Sequence, residues 1–225
     1  TYAKGASVLK QLVAWVGQEP FMRGVSEYFK KHAFKNTELK DLLKELENQS
    51  GRDLREWSKL WLETAGVNTL RPELVEKDGV IESFAILQSA IDAYPYLRPH
   101  RIAIGLYEEQ NGKIVRTDRI ELDVEGAKTE VPELAGKKRP HLILLNDDDL
   151  TYAKIRMDEA SWSFALDKLS SIEDPLARAL VWGSAWDATR DGESSPRDFI
   201  KLALRHLEFE TESTTMLTVL RQLLT

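Results

Sequence analysis

The chain has 225 residues, of which 42% are hydrophobic and 30% charged, the balance of an ordinary soluble globular protein. Its net charge of −6 argues against a nucleic-acid partner, because phosphate binding needs a concentrated basic surface. There is no cysteine, so disulfides and thiolate metal sites are excluded, which fits a reducing compartment such as the cytoplasm. No apolar run approaches the length of a membrane span, and no membrane contact is expected.

The first part of the chain, residues 1–69, has the residue spacing of α-helices. Ala6, Leu9 and Val13 recur at intervals of three and four residues, which places them on one face of a helix. Glycine, proline and capping residues then predict four helices. Gly17 ends the first, Pro20 begins the second, Asn36 or Thr37 caps the third, Gly51 ends it, and Asp53 caps the fourth.

The middle part, residues 70–156, changes to the pattern of β-strands joined by tight turns. Asp78-Gly79 and Asn111-Gly112 are typical of two-residue hairpin turns. Many short strands with such turns predict a small antiparallel β-sandwich. Strands are expected at Val80–Ser89, Arg101–Glu108, Ile114–Val124, near Val131 and at Leu142–Leu145.

The last part, residues 157–225, returns to helices. Asp174-Pro175 and Ser195-Pro196 each combine a capping side chain with a proline that suits the first helical position. An apolar stripe from Met216 to Leu224 indicates a helix face that neighbouring helices would cover. We expect the start of an α-helical array here, of the kind formed by stacked helix pairs.

The three blocks together define the expected fold class. Segregated helices, strands and helices predict separate domains rather than one mixed fold. We therefore expect a multidomain α and β protein with a helical subdomain, then a small antiparallel β-sandwich, then the start of an α-helical array. The predicted domains are residues 1–69, 70–156 and 157–225.

The usual catalytic and metal-binding patterns do not occur in the sequence. The four histidines are His32, His100, His141 and His206, and none pairs with another at the four-residue spacing that builds a zinc site on a helix. We interpret them as surface or partly buried residues. Glycines 112, 126 and 136 are isolated, so they indicate turns rather than a phosphate-binding loop.

Two further clusters have both a functional and a structural interpretation. The run Asn146–Asp149 could bind calcium through its oxygens, but it lacks the spaced ligands of an EF-hand loop, so a solvated turn after a buried strand is favoured. Trp57 with Trp61, and Trp182 with Trp186, lie four residues apart in predicted helices. Aromatic pairs at this spacing indicate helix packing rather than a ligand cage.

The first residues carry a resemblance to a known family. Tyr2, Lys4, Gly5 and Ala6 match a pattern of Tyr, any residue, Lys, Gly and a small residue that opens an apolar helix. This pattern resembles the segment after the zinc site in aminopeptidases of the aminopeptidase N family. Later segments resemble the family in the same order, although Asn68 stands where many members have proline. They are Gly17–Phe21 followed by Tyr28-Phe29, Trp57–Gly66, and Ile143–Asp158 in the form seen in bacterial members.

The resemblance implies a zinc enzyme that removes N-terminal residues from peptides. In this family a thermolysin-like domain holds one zinc through two histidines and a glutamate, and a second glutamate activates water. Those residues precede the tyrosine motif, so we expect neither a metal ligand nor another cofactor site in these 225 residues. The chain does not begin with Met, and we expect a piece of a longer cytoplasmic protein that is inactive by itself.

Tyr2 is the catalytic position that carries over from the family. Attack of water on a peptide carbonyl places negative charge on its oxygen, and a phenol can donate a hydrogen bond to that oxyanion. The alternative is that Tyr2 is an idle terminal side chain in this piece. Gly5 is expected to permit close helix packing and Lys4 to be solvated or paired, and neither is expected to be catalytic.

Two alternatives remain at the level of function. The chain could come from a non-catalytic relative that keeps this architecture as an interaction scaffold, although the intact Tyr2 motif argues mildly against this. It could also come from an aminopeptidase relative that opens an epoxide. The residues that would separate these possibilities are not among the 225.

Overall fold

The computed structural model describes residues 2–225 and contains, in that range, eight α-helices and seven β-strands. The helices are α1 (Tyr2–Val16), α2 (Gln18–His32), α3 (Leu39–Ser50), α4 (Arg55–Leu62), α5 (Glu159–Lys168), α6 (Pro175–Arg190), α7 (Pro196–His206) and α8 (Ser213–Leu223). The strands are β1 (Thr69–Lys77), β2 (Val80–Ser89), β3 (His100–Gln110), β4 (Lys113–Val124), β5 (Lys128–Glu130), β6 (Leu142–Asp147) and β7 (Lys154–Ile155). The expected mixture of α and β elements is confirmed.

Glycines with positive φ separate the first helices. Gly17, with φ of 90°, lies between α1 and α2, and Gly51 ends α3 with φ of 72° and a 2.8 Å bond from its N–H to the Glu47 carbonyl. A left-handed residue at a helix end favours glycine because a Cβ would be strained there. Both boundaries were predicted, but α2 begins at Gln18 rather than at Pro20.

The predicted cap of α3 is wrong. Glu38 caps the helix in a capping box, in which its backbone N–H donates to the Asp41 carboxylate at 2.9 Å. The Thr37 hydroxyl instead lies 2.5 Å from the hydroxyl of Tyr28, which ties the loop to α2. A capping residue is predicted from local sequence, and here a contact across nine residues uses the threonine differently.

The start of α4 departs from the prediction by one residue. Asp53 accepts a hydrogen bond from the Arg55 N–H at 2.9 Å, but the residue at the N-cap is Leu54. The caps of α6 and α7 are as predicted. The Asp174 carboxylate accepts from the first turn of α6, and the Ser195 hydroxyl accepts from the first turn of α7.

Both predicted hairpins are present. Asp78 and Gly79 join β1 to β2 with φ of 53° and 76°, and Asn111 and Gly112 join β3 to β4 with φ of 53° and 79°. Two consecutive positive φ values define the turn whose twist matches that of the flanking strands. The predicted isolated turn glycines are also confirmed, since Gly112, 126 and 136 all have positive φ.

The strands form two sheets that face each other. One has the order β5-β2-β1-β7 and the other β4-β3-β6. One apolar cluster takes residues from both sheets, including Phe84 and Ile86 from the first and Ile102 and Ile104 from the second. The pairing is antiparallel except between β1 and β7, where Thr69 and Leu70 run parallel to the final short strand.

Strand β6 belongs to two cores at once. Ile143 and Leu145 point into the core between the sheets, whereas Leu142 and Leu144 join a second core with α5–α8. Alternate residues of a strand face opposite sides, so a strand covered on both faces is apolar throughout. Its free edge is partly covered by α5, where the Ser161 hydroxyl accepts a 3.0 Å bond from the Ile143 N–H.

A third core holds α1–α4 together. It contains Val8, Leu12 and Trp15 from α1 and the pair Trp57 and Trp61 from α4. Trp182 is buried in the core of the later helices and Trp186 packs against it, so the interpretation of both tryptophan pairs as helix packing is confirmed. No helix within residues 2–225 is both long enough and apolar enough to cross a membrane.

Candidate functional site

Tyr2 opens helix α1 and projects into solvent. Its side chain is 97% exposed. Lys4 is half-buried, and Lys4 and Gly5 lie at one end of a groove of about 600 Å³ whose other walls are apolar. The groove runs between α1, α3 and α4. Its further lining residues are Val8, Leu9, Leu12, Leu39, Leu42, Leu43, Trp57, Trp61 and Leu62.

The expected close helix packing occurs at a different glycine. A Cβ added to Gly5 would meet nothing within 4 Å among residues 2–225. A Cβ added to Gly24 of α2 would lie 2.8 Å from Leu46 Cδ2 and 3.1 Å from the Glu45 carbonyl oxygen of α3. Gly24 therefore allows α2 and α3 to approach, and nothing in its local sequence marks it apart from other helical glycines.

Helix α1 is tied to the sheets by one fully buried side chain. Gln11 is 0% exposed, and its Oε1 accepts hydrogen bonds from the Thr151 hydroxyl at 2.6 Å and from the Tyr152 N–H at 3.0 Å. These partners lie in the loop after β6, 140 residues along the chain. Sequence spacing contains no signal for a contact of this range, and Gln11 was not predicted.

The same loop reaches a buried histidine. His100 is 0% exposed, with Nδ1 2.7 Å from the Thr151 hydroxyl and Nε2 2.9 Å from Gln88 Oε1. Burial, with the charge of Arg98 nearby, lowers the pKa of His100 to about 3, so the ring is neutral at pH 7. Its edge also meets the ring of Trp61, with ring centroids 5.2 Å apart.

Arg98 closes the end of α4 from inside the protein. It is 2% exposed, and its guanidinium donates to the carbonyl oxygens of Leu60 at 3.0 Å and Ala65 at 2.6 Å and to the Thr64 hydroxyl at 2.6 Å. Burial lowers the pKa of Arg98. A cation at the carbonyl end of a helix is favoured by the helix dipole, which accounts for a charge buried among carbonyls.

The histidines do not gather at one place. The interpretation of all four as surface or partly buried residues is wrong for two of them, because His100 is 0% and His206 4% exposed. His206 Nδ1 lies 2.9 Å from the Ser170 hydroxyl, and Nε2 lies 3.0 Å from the Leu166 carbonyl oxygen, which joins α7 to α5. Polar partners of this kind make burial of an imidazole tolerable.

The acidic run forms the predicted turn at the end of β6, but it is not solvated throughout, because Asn146 and Asp147 are buried within the strand. Asn146, Asp148 and Asp149 have positive φ values of 58°, 64° and 56°. The carboxylates are paired with basic side chains. Asp147 bonds Arg116 at 2.7 Å, Asp148 bonds Arg116 at 2.8 Å and Arg119 at 2.6 Å, and Asp149 bonds Lys10 at 3.0 Å.

A zinc site does not fit the described residues. Within residues 2–225 no three His, Cys, Asp or Glu side chains come together in a way that could hold a metal ion.

Comparison with known proteins shows similarity to one family at both ends of the chain. Residues 1–63 match the Peptidase family M1 domain, and residues 142–225 match the ERAP1-like C-terminal domain. The chain is 57% identical over 220 residues to Aminopeptidase N of Streptomyces lividans, a match that covers 94% of this chain. The resemblance to the aminopeptidase N family is confirmed.

Other aminopeptidases agree with this relationship. Aminopeptidase M1-B of rice is 24% identical over 196 residues, which is 80% of this chain. The crystal structure of Legionella pneumophila aminopeptidase A in complex with aspartic acid superposes over 99% of the chain with a TM-score of 0.64 at 19% identity, which shows a shared fold. The chain spans 26% of the Streptomyces aminopeptidase N, 22% of the rice protein and 26% of the Legionella chain.

Proposed function

We propose that the chain is part of a zinc-dependent aminopeptidase that removes N-terminal residues from peptides. The observation that carries the proposal is 57% identity to an aminopeptidase N over 94% of the chain. The match of residues 1–63 to the M1 peptidase domain supports it, because this segment contains Tyr2, Lys4 and Gly5 of the tyrosine motif.

We propose that the chain contains parts of three domains. Residues 1–69 are the C-terminal helical part of the catalytic domain, residues 70–156 a β-sandwich domain, and residues 157–225 the beginning of the C-terminal α-helical domain. Support comes from the two family models, which match at opposite ends of the chain, and from the position of all described strands between α4 and α5.

In this proposal Tyr2 is the catalytic residue that the chain contributes. Its phenol donates a hydrogen bond to the oxyanion that forms when water attacks the scissile carbonyl, so its interaction is strongest in the transition state. Lys4, Gly5 and Ala6 support the role, because with Tyr2 they complete the tyrosine motif of the family. Zinc is held by residues outside these 225, and the chain itself contributes no ligand.

The proposed setting is the cytoplasm, with peptides as substrates and neither nucleic acid nor membrane as a partner. The acidic net charge of −6 and the lack of cysteine support this assignment. The 225-residue chain alone is proposed to be inactive, because the family's zinc ligands and the glutamate that would activate water precede the tyrosine motif.

The proposal is tested with the complete protein and aminoacyl-anilide substrates. Release of aniline that a chelator abolishes and added zinc restores is the expected result. A complete protein that hydrolyses no N-terminal residue after zinc loading would favour the interaction scaffold instead. Persistent hydrolysis by the 225-residue chain in the presence of chelator would refute the proposal that this chain alone is inactive.

A further inference from the structure

Helix α1 is held by both apolar and directional contacts. Its apolar residues, among them Val8 and Leu12, pack into the core of the first four helices. Apolar contact is non-directional, so it holds a helix in place more firmly than it fixes rotation about the helix axis. Hydrogen bonds have preferred distances and angles, and a buried one restrains both rotation and translation.

Gln11 supplies that restraint from within the protein. Its Oε1 takes two hydrogen bonds from the loop after β6, while its Nε2 is buried without a partner among the described residues. An unpaired buried donor weakens the folded state. Stability alone therefore does not account well for an amide at this position.

The loop that Gln11 bonds to is itself held in place by hydrogen bonds. Asn146 at the end of β6 donates from Nδ2 to the Thr151 carbonyl oxygen at 3.0 Å and accepts from the Thr151 N–H at 2.9 Å. The Thr151 hydroxyl also touches His100. The loop is thus held by both Asn146 and His100, and the bond from Thr151 to Gln11 fixes α1 relative to this loop.

We propose that Gln11 is a positioning residue for Tyr2, setting the rotation of α1 and so the place of the phenol. This inference rests on the proposed function. Tyr2 and Gln11 lie nine residues apart on one continuous helix, about 13.5 Å along its axis. A side chain ends about 5–6 Å from the helix axis, so a rotation of about 10° moves it about 1 Å.

A displacement of that size is large for catalysis. Misplacing a reacting group by about 1 Å can lower the rate by about 100-fold. A hydrogen-bond donor aimed at an oxyanion gives its benefit only at the correct distance. Loss of the Gln11 restraint is therefore expected to lower kcat rather than to raise KM.

The test uses the complete aminopeptidase and four variants: Gln11→Met, Lys10→Met, Tyr2→Phe and the double variant of Gln11 and Tyr2. Gln11→Met is expected to lower kcat about tenfold with little change in KM, within the range set by small displacements. Lys10 is the matched control, since it bonds the same loop from the same helix but with its side chain 48% exposed. An exposed ion pair restrains little, so Lys10→Met is expected to change kcat less than about twofold.

The double variant separates positioning from general damage. If Gln11 acts through the phenol, Gln11→Met has no further effect on kcat once Tyr2→Phe is present. An equal loss in both backgrounds would overturn the proposal, and so would an unchanged kcat in the single variant. A complete protein without aminopeptidase activity would instead remove the proposed function on which the inference rests.

A second pair of variants covers the case in which Gln11→Met does not fold. Thr151→Val removes the hydroxyl that Gln11 accepts from, and Thr151→Ser keeps it. We expect kcat to fall for the valine variant and to stay within about twofold of the parent for the serine variant, because the hydroxyl carries the restraint. Equal kcat for the two would contradict the role of this bond.

Discussion

The sheets contact helices on two sides, and the two contacts are built differently. Toward α1–α4 the buried polar contacts include hydrogen bonds between uncharged groups, such as those of Gln11, Thr151 and His100, besides those of the charged Arg98. Toward α5–α8 the polar contacts include partly exposed ion pairs, such as those of Arg156 with Asp191 and Glu193, beside a large shared apolar core. The first kind of contact fixes direction, and the second contributes strength that depends on charge.

This difference matches the proposed roles of the two sides. A helix that carries a catalytic side chain needs a defined orientation, which neutral buried hydrogen bonds supply at any salt concentration. Helices that serve as scaffold need stability, which apolar burial supplies. Substitutions on each side, and a change of pH, can test whether the two sides differ in this way.

The largest effect is expected at the buried ion pair of the later helices. Arg178 and Glu210 are 7% exposed each and bond at 2.8 Å. Burial tends to raise the pKa of Glu210, but hydrogen bonds from Arg178, the Glu212 N–H and Trp182, with the charge of Arg178, together lower it. Glu210→Gln leaves a buried charge unpaired and is expected to lower the free energy of unfolding by about 3–5 kcal/mol. Urea denaturation measures it, with exposed Glu212→Gln as the control. Equal stability of the two variants would contradict the prediction.

Substitution of Tyr2, in contrast, should lower the rate of catalysis and leave stability unchanged. Tyr2→Phe is expected to lower kcat of the complete enzyme by about 100-fold to 1,000-fold, the usual loss for one oxyanion donor. Because the side chain is 97% exposed in the 225-residue chain, the unfolding midpoint of that chain should not change. Tyr96→Phe is a matched control in a half-exposed loop tyrosine. A loss of stability in place of a loss of kcat would show that Tyr2 is structural.

A fall in pH should lower the free energy of unfolding through His100, which lies on β3 beside α4. Its pKa is about 3 in the folded chain, with burial as the main cause, against an ordinary 6.5. The unfolded state therefore binds a proton that the folded state does not, and stability present above pH 6.5 is lost as the pH falls toward 3. Between pH 6.5 and pH 5 this amounts to about 2 kcal/mol.

The measurement compares urea unfolding at pH 7 and pH 5 for the parent chain and His100→Gln. The variant is expected to lose less stability between the two pH values. Burial also lowers the pKa of His206, so a smaller loss should remain in the variant. Identical losses in the two proteins would show that His100 is not the group that titrates.

The smallest effect is expected from a surface ion pair. Asp191 accepts from Lys154 at 2.7 Å and from Arg156 at 2.5 Å, and its side chain is 28% exposed. Asp191→Asn is expected to lower the free energy of unfolding by about 1 kcal/mol or less, and the difference should shrink in 0.5 M NaCl. Any loss of unfolding free energy caused by Thr151→Val should not depend on salt, because the hydrogen bond it removes joins uncharged groups. The same salt response in both variants would remove the distinction between the two sides.

Local sequence was enough to predict the turns and most helix ends. Asp78-Gly79 and Asn111-Gly112 determine their own backbone conformations, as do the capping residues Asp174 and Ser195. Such features depend on a few neighbouring residues, so no knowledge of the fold is needed. The cap of α3 failed because Thr37 is used by Tyr28, a tertiary contact.

Long-range contacts were out of reach for the same reason. The parallel pairing of β1 with β7, the approach at Gly24 and the bonds of Gln11 join segments that only the folded chain brings together. The candidate site could not be found from spacing at all. Tyr2 was identified through its resemblance to a family motif, because an oxyanion donor needs no characteristic pattern around it.

Strand β6 has a consequence for anyone who divides this chain. A cut after residue 156 removes the helices that cover Leu142 and Leu144 while leaving the cover of Ile143 and Leu145 in place. The shortened protein would expose Leu142 and Leu144 to water, and exposed apolar surfaces promote aggregation. Deleting one residue within the strand would exchange the two sets of side chains between the cores. Recombinant pieces should therefore keep β6 together with α5–α8.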